Sequence, residues 1–144
     1  RELLMEPGRS LVGNAGVLLT EVLYLKPGAA KNFCIVDAAM NDLMRPAMYE
    51  AYMGIVACTR RNAAPQTLDV VGPVCESGDW LGRDRSLVVR PGDVLAVLSA
   101  GAYGMSMASN YNTRPLAPEF LLERGEVRQI RRRQTITELL ALEE

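Results

Sequence analysis

Cys75 and Glu76 set a thiol directly beside a carboxylate, within Val71-Gly72-Pro73-Val74-Cys75-Glu76-Ser77-Gly78-Asp79-Trp80. Thiols, with an ordinary pKa of about 8.5, are protonated at neutral pH yet acidic enough to hand a proton to a reacting carbon. The apolar residues Leu68, Val70, Val71 and Val74 predict a strand from Leu68 to Cys75 that ends on this pair. Ser77-Gly78-Asp79 then turns the chain sharply and leaves its backbone open, a way to present both side chains at the mouth of a site. The same peptide also reads as a buried strand end in which the cysteine is a small core hydrophobe. Both readings stand on this peptide alone.

Composition removes several classes of chemistry. The 144 residues are 49% hydrophobic, enough for one domain with a core. A net charge of -1 gives no electrostatic case for nucleic acid or for an anionic membrane. No apolar run approaches the roughly 18 residues of a membrane span, the start lacks signal-peptide features, and a cytoplasmic protein is the expectation. Cys34, Cys58 and Cys75 are odd in number and widely spaced, and the chain has no histidine. A disulfide framework and a metal site are therefore not expected, and Ser-His or Cys-His nucleophilic catalysis cannot be built. Arg1 in place of an initiator Met, with Glu6-Pro7-Gly8-Arg9 close behind, reads as a piece of something longer.

The elements that must position the pair are short. Ser10 to Ala15 predicts a helix capped by Ser10, Val17 to Leu25 a strand, and Asn32 to Asp37 a second strand paired with it across Lys26-Pro27-Gly28. Met44 to Met53 takes helical spacing with Pro46 in its first turn, so that Arg45 and Tyr49, at i and i+4, share a face. Ile55 to Cys58 and Val94 to Leu98 are strands, and the stretch from Arg83 to Asp93 reads as rich in turns. Met105 to Asn110 is a short helix, Phe120 to Leu122 and Val127 to Ile130 form a hairpin, and Thr135-Ile-Thr-Glu138 fits a capping box. Arg128, Arg131, Arg132 and Arg133 read as a solvated strand edge and tail. The sum is a mainly β fold, a barrel or Greek-key-like sheet with a few short helices.

Five segments in one order carry a resemblance: Glu6-Pro7-Gly8-Arg9; Val36 to Leu43 with Arg45-Pro46-Ala47-Met48-Tyr49; Gly72 to Asp79; Ala100 to Gly104; and Ser109-Asn110-Tyr111-Asn112. From Glu6 to about Arg133 the chain resembles the C-terminal part of the diaminopimelate decarboxylase family of pyridoxal-phosphate enzymes. The resemblance implies a parent with a cofactor-binding (β/α)8 barrel followed by a β-barrel domain. Residues 1–16 would be the barrel's last βα element and residues 17–144 the C-terminal β domain.

The resemblance also implies roles. Cys75 takes the family's proton-donor position. Arg9, Arg45, Tyr49, Glu76 and Tyr103 take substrate-binding positions for meso-diaminopimelate, whose far end carries a carboxylate and an ammonium. Tyr103 also contacts pyridoxal 5'-phosphate, and Gly8 lies where the family binds its phosphate. The Schiff-base lysine belongs to the barrel, and Lys26 and Lys31 read as surface residues. Family members are homodimers in which the Cys-Glu loop completes the neighbour's site. Cys34 and Cys58 match no family motif and read as structural. Met53 departs from the pattern, since many relatives carry a histidine there. The readings that compete with this one are a related decarboxylase acting on ornithine, arginine or carboxynorspermidine, and a stand-alone β module for dimerisation.

Overall fold

The computed structural model describes residues 2–143. Branched and aliphatic residues draw the chain into strands, and the loop of residues 27–32, opened by Pro27-Gly28 and bent at Ala29-Ala30, folds the first two against each other. β1 (Leu18–Lys26) and β2 (Phe33–Val36) pair antiparallel with Leu25 opposite Cys34, the predicted hairpin. They are joined by β3 (Ile55–Ala57), β4 (Gln66–Val71), β5 (Trp80–Leu87) and β6 (Val94–Val97) in the order β3-β6-β1-β2-β4-β5. β2 and β4 run parallel, and the other neighbours are antiparallel. The two outer strands curl toward each other until a Cβ on Gly82 of β5 would lie 2.8 Å from the Ile55 Cδ1 of β3, so the sheet is a nearly closed barrel.

Inside it pack Val22, Cys34, Val36, Leu43, Leu68, Val70, Leu81, Leu95 and Val97, each at most 1% exposed. A fully buried Leu or Val is worth about 1.5–3 kcal/mol, whereas an exposed ion pair contributes about 0–1 kcal/mol. The aliphatic interior therefore decides the fold, and the surface pairs adjust it.

Several local expectations need correction. The stretch expected to be rich in turns, Arg83 to Asp93, takes in the second half of β5, a strand hidden because its inward residues are not evenly spaced. Leu81, Arg85 and Leu87 face in, and the register slips between Leu68–Arg85 and Val70–Gly82. The slip is a bulge in which Asp84 takes a left-handed φ of 52°, held by its N–H donating to Asp69 Oδ1 at 2.7 Å. It turns Arg85 inward, where its guanidinium stacks 3.9 Å from the centroid of the Tyr52 ring. The helix expected over Met44 to Met53 is only α2 (Arg45–Tyr49), because Glu50 at φ 52° ends it. At the start, α1 (Arg9–Val12) passes into a 3₁₀ turn at Gly13–Ala15 and has no side-chain cap from Ser10. The predicted helix at Met105 to Asn110 reduces to a 3₁₀ turn, Met105–Met107.

Beyond the barrel, β7 (Glu119–Glu123) and β8 (Glu126–Arg131) form the predicted separate hairpin, and α3 (Ile136–Leu139) follows. Its capping box is present: Glu138 N donates to Thr135 Oγ1 at 3.2 Å, and Thr135 N donates to Glu138 Oε2 at 3.0 Å. The arginines here are exposed. Arg131 pairs with Glu119 at 2.5 Å and Arg132 with Glu138, as a solvated edge would.

Among the loop contacts, Asp93 carries a pH dependence. Its carboxylate accepts from Arg61 Nε at 2.9 Å, from Arg61 Nη2, and from Arg90 N at 2.9 Å. The Arg61 guanidinium is the main cause that holds this carboxyl down to about 2, against an ordinary 3.8. A depressed carboxyl stabilises the fold fully above its unfolded pKa, and that stabilisation is lost as pH falls through the folded value. Urea midpoints measured from pH 4 to pH 2 are expected to fall less steeply in Asp93→Asn, by the uptake of one proton; identical slopes would refute the assignment.

Candidate functional site

Two short helices and a strained turn build one cleft. Pro46, whose missing N–H costs nothing in a first helical turn, starts α2, and Glu50 stops it after five residues. That length places Arg45, partly buried, and Tyr49, exposed, on the same face. Across from them, Gly8 and Arg9 open α1. The space between has a volume of about 890 Å³ and is lined by Glu6, Gly8, Arg9, Arg45, Tyr49 and Tyr52, with the buried Met53 among its other lining residues.

Tyr103 stands against the same residues. The Arg45 guanidinium lies 5.6 Å from its ring centroid, and a Cβ placed on Gly8 would come within 3.9 Å of its hydroxyl. Tyr103 adopts φ 59°, a conformation that costs a side-chain-bearing residue about 1–3 kcal/mol and persists only where neighbours impose it. The neighbours here are backbone hydrogen bonds: Ala100 N to Gly16 O at 2.9 Å and Gly101 N to Gly13 O at 3.1 Å. A Cβ on Gly101 would strike the backbone of Val12 and Gly16. The glycine therefore serves the close approach of the α1 segment to the Tyr103 turn. Gly8, Arg9, Arg45, Tyr49 and Tyr103 are thus brought together. Tyr52, and Ser99 at φ 61° with its hydroxyl 2.9 Å from Asn14 Oδ1, also line or flank the cleft, and sequence reasoning missed them.

Cys75 and Glu76 are elsewhere. They do not end a strand as expected: β4 stops at Val71, and both sit exposed in the loop to β5. The chain leaves the sheet there because Gly72 passes so close to its surroundings that a Cβ would lie 2.7 Å from Ala38 O and would also strike the Asp79 carboxylate. Asp79, 4% exposed, organises the loop from within. Its Oδ2 accepts from Val74 N at 2.8 Å and its Oδ1 from Met40 N at 2.7 Å. Burial pushes the Asp79 carboxyl above its ordinary range, against the pull of those two N–H groups toward the ionised form. Glu76 folds back to accept from Gly78 N at 3.0 Å. The sequence clue to Asp79 is its place beside Gly78, which also lets it pass for a mere turn residue.

The three thiols separate by environment. Cys34 is fully buried, and that burial pushes its thiol up to about 11, an inert core group. Cys58 is exposed beyond β3, its N–H bonded to Val94 O at 2.9 Å. Only Cys75 combines exposure with a neighbouring carboxylate. Among the described residues no group of three or more Cys, Asp or Glu is arranged to hold a metal ion. The two lysines do not line the cleft: Lys26 is exposed at the end of β1, and Lys31 pairs with Asp69 at 2.9 Å. Gly8 leaves its backbone open toward the Tyr103 hydroxyl, with room even for a Cβ 3.9 Å from it, so a flat cofactor could lie against the two. The amine to bind such a cofactor is not among the residues that line the cleft.

These features define a class: a barrel-like β domain that carries a cationic, aromatic half-site and, on a separate loop, an exposed thiol and carboxylate. The family model described as the pyridoxal-dependent decarboxylase C-terminal sheet domain matches residues 11–101, and the chain belongs to that family. It is 58% identical over 142 residues to the diaminopimelate decarboxylase of Neisseria meningitidis serogroup A, covering 99% of this chain and 35% of that protein. It is likewise 58% identical over 139 residues to the diaminopimelate decarboxylase of Pseudomonas aeruginosa, covering 96% of this chain and 34% of the relative. The crystal structure of diaminopimelate decarboxylase from M. jannaschii in co-complex with L-lysine superposes with a TM-score of 0.93 at 46% identity, over 96% of this chain and 32% of that one. The chain spans about a third of the length of the curated relatives it matches. Among the described residues no helix is long and apolar enough to cross a membrane.

Proposed function

We propose that this chain is the C-terminal domain of a cytoplasmic enzyme that decarboxylates meso-2,6-diaminopimelate to L-lysine and CO2, the closing step of lysine biosynthesis. The observation that carries the reading is the cleft in which Arg9, Arg45 and Tyr49 converge beside Tyr103, while Cys75 and Glu76 project from a different loop. Two guanidiniums suit a substrate whose far end keeps a carboxylate after the reaction. Ornithine has no such group. In this reading residues 1–16 close a (β/α)8 barrel contributed by the rest of the polypeptide, and residues 17–144 are the β domain.

Pyridoxal 5'-phosphate would rest against Tyr103 and Gly8, and when bound it supplies an electron sink for the carbanion left at Cα by departing CO2. The residues of this chain do the remainder. Arg9 and Arg45 grip the distal carboxylate, Tyr49 donates to it from the same helix face as Arg45, and Glu76 accepts from the distal ammonium. Cys75 Sγ gives a proton to Cα, which sets the thiol's place at the reacting carbon. Because Cys75 and Glu76 do not line this chain's own cleft, they act in a homodimer on the neighbouring subunit's substrate.

The test is CO2 release by the full-length protein, supplied with pyridoxal phosphate and either meso-diaminopimelate or ornithine. Turnover of diaminopimelate alone is the expected result. Turnover of ornithine would mean that Arg45 and Glu76 have been given the wrong ligand, and inactivity on both would leave a dimerisation module.

A further inference from the structure

We propose that Asp79 is the positioning residue of the proton donor: its buried carboxylate fastens the Cys75–Glu76 loop to the rigid turn that also launches the helix carrying Arg45 and Tyr49, so that the thiol this chain offers to the neighbouring subunit's substrate is held in place. The inference rests on the decarboxylase reading above and names a residue that reading leaves without a role.

On the loop side, Asp79 Oδ2 takes the N–H of Val74, the residue before Cys75, at 2.8 Å, and Gly72 N donates to Asp79 O at 3.1 Å. On the other side, Asp79 Oδ1 takes the N–H of Met40 at 2.7 Å. Met40 belongs to a turn, residues 37–44, that is held from every direction. Thr20 Oγ1 donates to Asp37 Oδ1 at 2.6 Å and accepts from Ala38 N at 2.9 Å. Arg114 reaches in from the far end of the chain: Nε donates to Asn41 Oδ1 at 2.8 Å, and Nη2 donates to Asp37 O at 2.6 Å and to Asp42 Oδ2 at 3.3 Å. Asn41 is fully buried, and Leu43, 1% exposed, plugs the turn into the core one residue before Met44 caps α2.

Only a carboxylate satisfies this geometry. Two backbone donors face the two oxygens of Asp79, so an asparagine must set its NH2 against one N–H. The loop then loses one of its two anchors, and Cys75 Sγ drifts from its place against the neighbouring subunit's substrate. A misplacement of about 1 Å at a reacting group costs about 100-fold in rate.

In the full-length holoenzyme, Asp79→Asn is expected to lower kcat on diaminopimelate by about 100-fold while KM rises by less than about tenfold, because Arg9 and Arg45 keep the distal carboxylate while Glu76 loosens with the loop. A second readout separates positioning from general damage. Iodoacetamide labelling, resolved by peptide mass spectrometry, compares Cys75 with exposed Cys58, and buried Cys34 reports unfolding. The Cys75-to-Cys58 ratio is expected to change by about fivefold or more, with Cys34 unlabelled. Should Asp79→Asn not fold, Arg114→Met leaves Asp79 intact but frees the turn, and it is expected to move the ratio in the same direction by less. A folded variant with an unchanged labelling ratio and unchanged kcat overturns the proposal. Cys75→Ala with full kcat would defeat the proton-donor reading alone, since the labelling ratio would still decide whether Asp79 holds the loop.

Discussion

In the full-length enzyme, Cys75→Ala is expected to lower kcat on diaminopimelate by about 10²–10⁴-fold, the range that a positioned general acid contributes. KM should stay near its original value, because the thiol meets the substrate only at Cα and takes no part in holding its far end. The physical case is one of exclusion among three thiols. Cys34 is sealed in the barrel with its thiol pushed up to about 11 and cannot reach a substrate. Cys58 is exposed beyond β3, between Ala57 and Thr59, with no carboxylate beside it in the chain. Cys58→Ser should therefore leave kcat unchanged, and its exposure makes it the control for any loss caused by handling a thiol variant. Steady-state rates with each variant decide the matter: a Cys75→Ala enzyme within about threefold of the original kcat would remove the thiol from the chemistry.

Arg45→Met should raise KM for diaminopimelate by about 10- to 150-fold, the equivalent of losing a charge-assisted hydrogen bond worth about 1.5–3 kcal/mol. Methionine keeps much of the volume in the wall of the cleft, so the loss reports the guanidinium itself. Two further effects should accompany it. The Tyr103 ring loses the cation 5.6 Å from its centroid, which loosens a residue already held at φ 59°. Discrimination against ornithine should also narrow, since the group that rewards a distal carboxylate has gone. Arg45→Lys should recover only part of the affinity, because an ammonium cannot match a carboxylate with two parallel donors. A KM unchanged in Arg45→Met would place the distal carboxylate somewhere other than this cleft.

Both predictions concern residues whose types and order are legible in the amino-acid sequence alone. Arg45 and Tyr49 announce a shared face through i, i+4 spacing behind a proline, and a five-residue helix is enough to honour it. Gly8-Arg9 and Tyr103 are legible as short motifs, and they meet because Gly13 and Gly16 hydrogen-bond to the turn at Ala100 and Gly101. The hairpin of β1 and β2 and the capping box at Thr135 are also readable, since a Pro-Gly pair and a Thr-x-x-Glu pattern act within a few residues. Residues 37–44 match the family motif in sequence, but nothing local marks them as a frame. That role comes from Thr20, Asp79 and Arg114, which are distant in sequence and converge only once the barrel forms.

The misses share one cause. β5 is hidden because the bulge at Asp84 breaks the alternation that marks a half-buried strand, and that bulge depends on Asp69 of the neighbouring strand. Cys75 reads as part of a strand because the apolar run continues through Val74. The run leaves the sheet at Gly72, where the backbone of Ala38 and the carboxylate of Asp79 leave no room for a side chain. Residue types, local periodicity and turn chemistry are properties of neighbours along the chain, and they carry the fold class and the chemistry of the site. Which groups share a cleft, which thiol is exposed and which carboxylate is buried depend on contacts between strands far apart in sequence, and only the nearly closed barrel decides them.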